Sequence, residues 1–454
     1  LSRFITKQKT ASEKMPTRTE KMKMFNLKRN RIFSAGNFRN GRFSVPAIML
    51  LLLNLLLAAG EAKADVVTDW NGIADTVVVT NGKRAAGEAI VDMAYVHAAM
   101  YDAVNAIDNR YTPYAVSLSN VPDNASQDAA AATAAYHVLK ALFPAQAAFL
   151  DQRYIQYLGA IPAGDAKTKG VEVGREVASR FMTLRAGDGR DAVVPFWQSS
   201  GAGAWQPTPP AYSQQPLSVW VAQLRPFMME SPSQFRAEGP PALTSSDWAR
   251  DYNETKLYGA LNSGARTPAQ TETGRFYAEH AAAQYSRISR SFAAGQNLNT
   301  ADSARLFAML YLAMGDAMIA GWDSKYYFAY WRPVTAIRAG DTDGNPQTEA
   351  DPNWTPLVAT PNHPEYPAAH GCLTAAFAEA LRAFYGTKKV RITLSSAVTN
   401  TSRTFNNTDD LIKEIIDARI YGGMHYRTSG VHGTVIGKKV ARLMNSRYFQ
   451  PLQQ

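Results

Sequence analysis

The chain has 454 residues, 46% of them apolar, and a formal net charge of +10. That length allows one large helical domain or two fused ones, and the lone cysteine, Cys372, excludes an internal disulfide and a cysteine-built zinc centre. The charge is local: residues 1–64 hold 13 Lys/Arg against Glu13, Glu20 and Glu61, leaving 35 basic and 35 acidic residues elsewhere, so it gives no ground for a nucleic-acid partner.

In chain order, residues 1–64 read as a leader with a signal peptide. Lys28, Arg29, Arg31, Arg39 and Arg42 precede the apolar run Ile48–Leu57, and Ala62-Lys63-Ala64 is a small-x-small cleavage pattern. The run is short of the ~20 residues a membrane span needs. The expectation is an exported protein, secreted or periplasmic, starting near Asp65. No later segment reads as apolar enough to span a membrane.

The mature chain reads as mostly α. Helices are predicted over 85–106, 128–143, 145–158 and 165–184 as an N-terminal helical region, 65–245. His97 and His137 fall on these helices and read as packing residues. Nine of the 24 prolines lie between Pro195 and Pro241, among Trp197, Trp205 and Trp220. Residues 190–245 therefore read as a long ordered loop over the helices, roofing a pocket. A C-terminal helical region, 246–454, follows, with helices over 246–261, 267–292, 300–322, 374–385, 409–421 and 430–445. Asp316, in an apolar segment, reads either as a buried partner for an arginine or as part of a solvated face. Short strands are expected only at 66–68, 76–79 and 390–394.

Three segments carry the unusual polar groups. In Lys325-Tyr-Tyr-Phe-Ala-Tyr-Trp-Arg332-Pro333 the two cations are seven residues apart. On one helix that is two turns, which puts both on one face about 10 Å apart along the axis, among aromatic residues. Such a pair calls for a shared anion. In Pro361-Asn-His363-Pro-Glu-Tyr-Pro367-Ala-Ala-His370 prolines lead to a turn, and a helix opens near His370, where free N–H groups welcome an anion. In Arg419-Ile-Tyr-Gly-Gly-Met-His425 the helix ends at Gly422-Gly423, which lets His425 turn back toward the space Arg419 faces. An arginine fork suits a tetrahedral oxyanion.

Lys-x6-Arg-Pro, Pro-x-x-His and Arg-x5-His, in this order, resemble the signature of the vanadium-dependent haloperoxidase and type 2 phosphatidic acid phosphatase (PAP2) superfamily, haloperoxidase-like branch. The match is strong over 325–425. The resemblance implies an all-α fold of helical bundles and a vanadate cofactor, with phosphate as the competing oxyanion. It implies that Lys325, Arg332, Arg419 and the Ala369 N–H hold the oxyanion. His425 would be axial to vanadium, and His370 the acid/base group. Halide would be oxidised with hydrogen peroxide, Lys325 polarising the peroxide, and a small organic acceptor halogenated. A histidine at position 363 leans the resemblance toward bromide or iodide; the plain alternative is a loop histidine. His280 and His432 read as helix-packing or surface residues, and Cys372 as a small core residue.

Two departures stand out. Relatives usually have Pro-Ser-Gly-His where this chain has Pro367-Ala368-Ala369-His370, and many have aspartate where Ser429 stands. Two other functions stay open on the same residues: a PAP2-type acid phosphatase with His425 as nucleophile, and a helical protein that binds an oxyanion without turnover. The sequence also leaves room for a homo-oligomer.

Overall fold

The computed structural model describes residues 65–452, except 198. The leader reading lies outside the described residues. What is described is thirteen α-helices and one β-hairpin, the expected all-α class.

α1 (Val66–Asp75) is followed by a π-helical turn over Thr76–Asn81. Both were expected as strands. Asp65 overrides that reading: its side chain accepts the Val67 N–H and caps a helix, and Trp70, Asn71, Ala74, Val77 and Val78 then point to the core. α2 (Ala86–Asp108), α3 (Gln127–Leu142), α4 (Ala147–Ala160) and α5 (Asp165–Leu184) follow closely on the predicted spans. α6 is Ser246–Gly259.

The single helix expected over 267–292 is two, α7 (Pro268–Phe276) and α8 (Ala281–Ala294). The chain leaves helical geometry at Tyr277, whose hydroxyl is tied to Glu414 Oε1 at 2.9 Å and whose carbonyl accepts Arg419 Nη1 at 2.8 Å. The break thus turns a backbone acceptor toward a candidate site residue.

α9 (Thr300–Phe328) is the central helix, packed on α2 and on α11 (Ala369–Tyr385) and α13 (Arg427–Arg447). Against expectation it is long and apolar enough to cross a membrane by length and composition. Its most apolar window is 94% buried in the protein, which accounts for an apolar surface on every side. Asp316, on α9, is fully buried and neither pairs with an arginine nor meets solvent. It accepts the N–H groups of Phe227, Met228 and Met229 at 2.7–2.9 Å and so fastens the Trp/Pro-rich segment to the core. α10 (Pro333–Arg338), α12 (Thr408–Tyr421) and the antiparallel hairpin β1 (Ile392–Ser396)–β2 (Thr401–Phe405), paired from Ile392↔Phe405 to Ser396↔Thr401, complete the set.

α11 and α13 cross closely because small residues face each other. A Cβ on Gly433 would lie 2.5 Å from the Ala368 carbonyl, at the residue that precedes α11. Gly433→Ala is expected to destabilise the protein by about 3 kcal/mol, since backbone rather than a side chain must move. A lowered urea midpoint measures it; an unchanged midpoint would mean the helices separate without cost.

Candidate functional site

Lys325 and Arg332 do not share a helical face. α9 ends at Phe328, Ala329 takes a left-handed conformation (φ 43°), and Arg332 is the N-cap of α10. Pro333 sits comfortably at the first position of α10, and it disfavours helical geometry at Arg332. The aromatic residues between the cations are partly core: Tyr330 and Trp331 join Trp248, Tyr252, Tyr366 and Tyr426 in a separate apolar cluster. The segment is tied to the Trp/Pro-rich loop by Trp205 N–H to Ala329 O and Trp331 N–H to Gly203 O, at 2.7 and 2.9 Å.

The two cations nevertheless reach one loop. Lys325 Nζ donates to the carbonyls of Pro364, Glu365 and Pro367 at 3.0, 2.8 and 2.6 Å. Burial, then Arg332, drives its pKa well below the usual lysine value. Yet three acceptors need three N–H donors, which only the ammonium form has, so we take Lys325 as charged. Arg332 donates from Nε to His363 O at 2.8 Å and from Nη1 to Met424 O at 3.0 Å, and Nη1 lies 3.2 Å from His425 Nε2. Its Nη2 lies against the His363 ring, 3.0 Å from Nδ1. Burial lowers Arg332 to about 10.

Arg419, 3% exposed, leaves α12 near its end and gives Nη1 to Tyr277 O; its Nε has no partner. Burial, then Arg332, lowers it to about 9. Gly423 (φ 73°) ends this segment so closely against α6 that a Cβ there would meet Gly259 O at 2.5 Å. That turn swings His425 back beneath Arg332.

His425 is buried, and its Nδ1 lies 2.7 Å from Glu365 Oε1. Burial and the three cations hold its pKa well below the usual histidine value, so the ring is neutral. Nδ1 then carries the proton toward the carboxylate and Nε2 presents a lone pair. Glu365 is fully buried; its Oε1 also accepts the Tyr426 N–H at 3.2 Å, and Oε2 has no partner. Burial raises its pKa to about 7, against the pull of Lys325, Arg332, Ser429 and the Tyr426 N–H. The Ser429 hydroxyl stands close enough to lower that value but outside the geometry of a formed hydrogen bond. The position that departs from the relatives' aspartate thus lies beside a carboxylate supplied from the preceding motif.

α11 starts at Ala369, beside His370 where a helix was expected to open and five residues ahead of the 374–385 span. Its N-cap, Ala368, brings no side-chain acceptor; Gly371 N–H donates to the Ala368 carbonyl, and the Ala369 and His370 N–H groups are left for another partner. His370 is part-exposed as a residue, but its Nε2 is inaccessible and unpaired. Burial, then Arg419 and Lys325, keeps it neutral.

His363, Ala369, His370, Arg419 and His425 line one cavity of about 130 Å³. Lys325 and Arg332 stand behind its wall, engaged with the 363–367 loop. The far side is Ala85, Ala86, Gly87 and Ile90 of the α2 start, with Met318, Trp322 and Leu373, and Leu217 and Ser218 close it from the Trp/Pro-rich loop. The roof expected of that loop is real. His97, stacked on Tyr311 at 4.5 Å, and His432, bonded to the Tyr366 hydroxyl, lie outside the lining; His280 accompanies Ala281 near it, its Nε2 3.0 Å from Arg84 O. Glu365 and the α2 wall were missed. An acidic residue between two candidate histidines and two prolines was the signal for Glu365; small apolar residues at 85–87 give none.

Fold and cavity together define an all-α protein in which Lys325, Arg332, Arg419 and Glu365 are buried around a histidine-lined cavity. Residues 305–454 match the family model of the VCPO second helical-bundle domain. The chain is 30% identical over 184 residues to vanadium chloroperoxidase of Curvularia inaequalis, a match covering 33% of this chain and 30% of that relative, so it spans under a third of the relative's length. The fold is similar to the crystal structure of the first bacterial vanadium-dependent iodoperoxidase (TM-score 0.71, 22% identity, 86% of this chain and 96% of that one). It is also similar to a holo-type bacterial vanadium-dependent chloroperoxidase (TM-score 0.66, 18% identity, 82% and 92%). The chain therefore has the fold of the vanadium haloperoxidase structures, and its C-terminal third matches the model of the VCPO second helical-bundle domain.

Proposed function

We propose that the protein is an exported vanadium-dependent haloperoxidase that oxidises bromide or iodide with hydrogen peroxide. One observation carries this reading. Lys325, Arg332 and Arg419 are 0%, 0% and 3% exposed, and Glu365 is the one carboxylate among the charges that act on them. Among the described residues, two positive charges are left without a counter-ion beside a cavity that holds unpaired Arg419 Nε and His370 Nε2. Buried charge without a partner is costly, so the arrangement fits a doubly charged tetrahedral oxyanion.

Vanadate fits this donor set: Arg419 and the α11 N-terminus would hold its oxygens, Lys325 and Arg332 would add positive charge from behind the wall, and the His425 Nε2 lone pair would hold its metal. When bound it supplies the Lewis-acidic centre at which hydrogen peroxide is activated toward halide. His370 Nε2, neutral and aimed inward, takes a proton from the incoming peroxide. Lys325, held by three carbonyls, supplies a fixed positive charge where negative charge develops. His363, beside Trp322 at 5.2 Å between ring centres, sets the polarity of the cavity wall, and the iodoperoxidase neighbour supports the lean toward larger halides. The His425 lone pair suits a phosphoryl acceptor equally, so a phosphatase is the rival.

The purified protein, given orthovanadate, bromide and hydrogen peroxide, is expected to brominate an indicator dye. p-Nitrophenyl phosphate without vanadate tests the rival: phosphate release with no bromination would replace this reading. Inorganic phosphate or orthovanadate at 100 times Kd should also stabilise the fold by about 2.7 kcal/mol, read as a raised Tm. Sodium chloride at equal ionic strength should not reproduce it.

A further inference from the structure

We infer that Glu365 is the positioning residue for His425: its carboxylate fixes the imidazole proton on Nδ1 and so leaves Nε2, on the Arg332 side of the ring, as the electron-pair donor. The inference rests on the reading of His425 as the anchor of the proposed function.

A neutral imidazole has one N–H, and the hydrogen bond at one nitrogen decides what the other can do. Glu365 Oε1 already takes the Tyr426 N–H and faces two buried cations, so we take the carboxylate as ionised; it then only accepts and selects the Nδ1–H form. Here the acceptor is 2.7 Å away. On the other side Arg332 Nη1, which can only donate, faces Nε2 at 3.2 Å. Both neighbours therefore select the same tautomer.

Glu365 is itself immobilised. Its N–H donates to Tyr330 O at 2.8 Å, its carbonyl accepts Lys325 Nζ at 2.8 Å, and Oε1 also takes the Tyr426 N–H. The charged and polar groups facing it are Lys325, Arg332, Ser429 and Tyr426, from α9, the α9–α10 connection and the start of α13. None offers His425 Nδ1 a competing acceptor. A purely structural role fits poorly, because a fully buried carboxylate with an unpaired Oε2 is a costly way to join two segments. A carboxylate on the second nitrogen also makes the first a stronger electron-pair donor; losing such a partner typically costs about 10–100-fold in metal affinity or activity.

The test needs neither vanadate nor halide. The chain has seven histidines, so the 15N spectrum of histidine-labelled protein is tractable, with His425 assigned by the signal lost in His425→Gln. The expected result is a proton on Nδ1 and a bare Nε2 in the unsubstituted protein. In Glu365→Leu the Nδ1–H form should give way to a mixture. Finding the proton on Nε2 in the unsubstituted protein, or an undiminished Nδ1–H form in Glu365→Leu, overturns the inference. Should the leucine variant not fold, Glu365→Gln, read by orthovanadate affinity, decides, because Arg332 also selects the Nδ1–H form. Glu365→Gln keeps shape and one acceptor but no charge; it raises the surplus of buried positive charge, so a fall in orthovanadate affinity, expected at about 10–100-fold, reads the lost hold on His425 against that gain. Unaltered affinity there counts against Glu365. Failure of bromination with the Nδ1–H form present would sink the proposed function and leave this inference standing.

Discussion

His425→Ala is expected to remove halide oxidation by roughly three orders of magnitude or more, the scale on which loss of a residue that bonds the reacting centre acts. The same substitution should leave the fold nearly intact, with a stability loss of about 2 kcal/mol or less. The second statement follows from the partners that remain. Glu365 Oε1 keeps the Tyr426 N–H, and Arg332 Nη1 keeps the Met424 carbonyl. What disappears is the electron-pair donor at Nε2. Dye bromination and urea unfolding, run together, measure both halves. Retention of more than about a tenth of the activity would remove His425 from the site, whereas a collapsed urea midpoint would assign it to the core. The variant also bears on the rival, since a phosphatase using His425 as nucleophile loses p-nitrophenyl phosphate hydrolysis to the same degree.

What could be read from the sequence, and what could not, follows from where each signal resides. The three motifs are chemically loud: cations next to aromatic residues, histidines among prolines, and an arginine ahead of paired glycines. Their histidines and Arg419 share a cavity because two helix boundaries, the α11 start and the α12 end, were legible from Pro367 and Gly422-Gly423. The geometry of Lys325 and Arg332 was misread because helical periodicity was carried through Ala329, a residue with no preference for the left-handed turn it adopts. Pro333 already argued against helix at Arg332. The Val77–Val79 run looked like a strand because β-branched residues favour one; burial against the core decided otherwise. Glu365 was missed for a different reason. Its place between His363 and His370 marks it as unusual, but its role shows only once its partners are placed, and those come from α9, the α9–α10 connection and the segment leading into α13.

Lys325→Met should cost about 3 kcal/mol in stability and lower oxyanion affinity by about 10–100-fold. Methionine keeps length and apolar bulk, so the α9 packing survives and the loss is confined to the ammonium. Two terms oppose each other. Removing a buried cation that Arg332 repels is favourable, and burial already works against the charged form. Against that, the carbonyls of Pro364, Glu365 and Pro367 lose their donor together, and each buried acceptor left unpaired costs about 1–3 kcal/mol. Three such losses outweigh one relieved repulsion, so the sign is destabilising. The affinity change follows from charge: the surplus around the cavity falls from two to one, while Arg332 and Arg419 stay. The loop carrying those carbonyls leads straight into Ala369 and His370, so its loosening also blurs the α11 N-terminus where an oxyanion would rest. Urea midpoints and orthovanadate titration of the same preparation separate the two effects. A variant more stable than its parent would show that repulsion among the three cations dominates, and the carbonyl clamp would then have to be secondary.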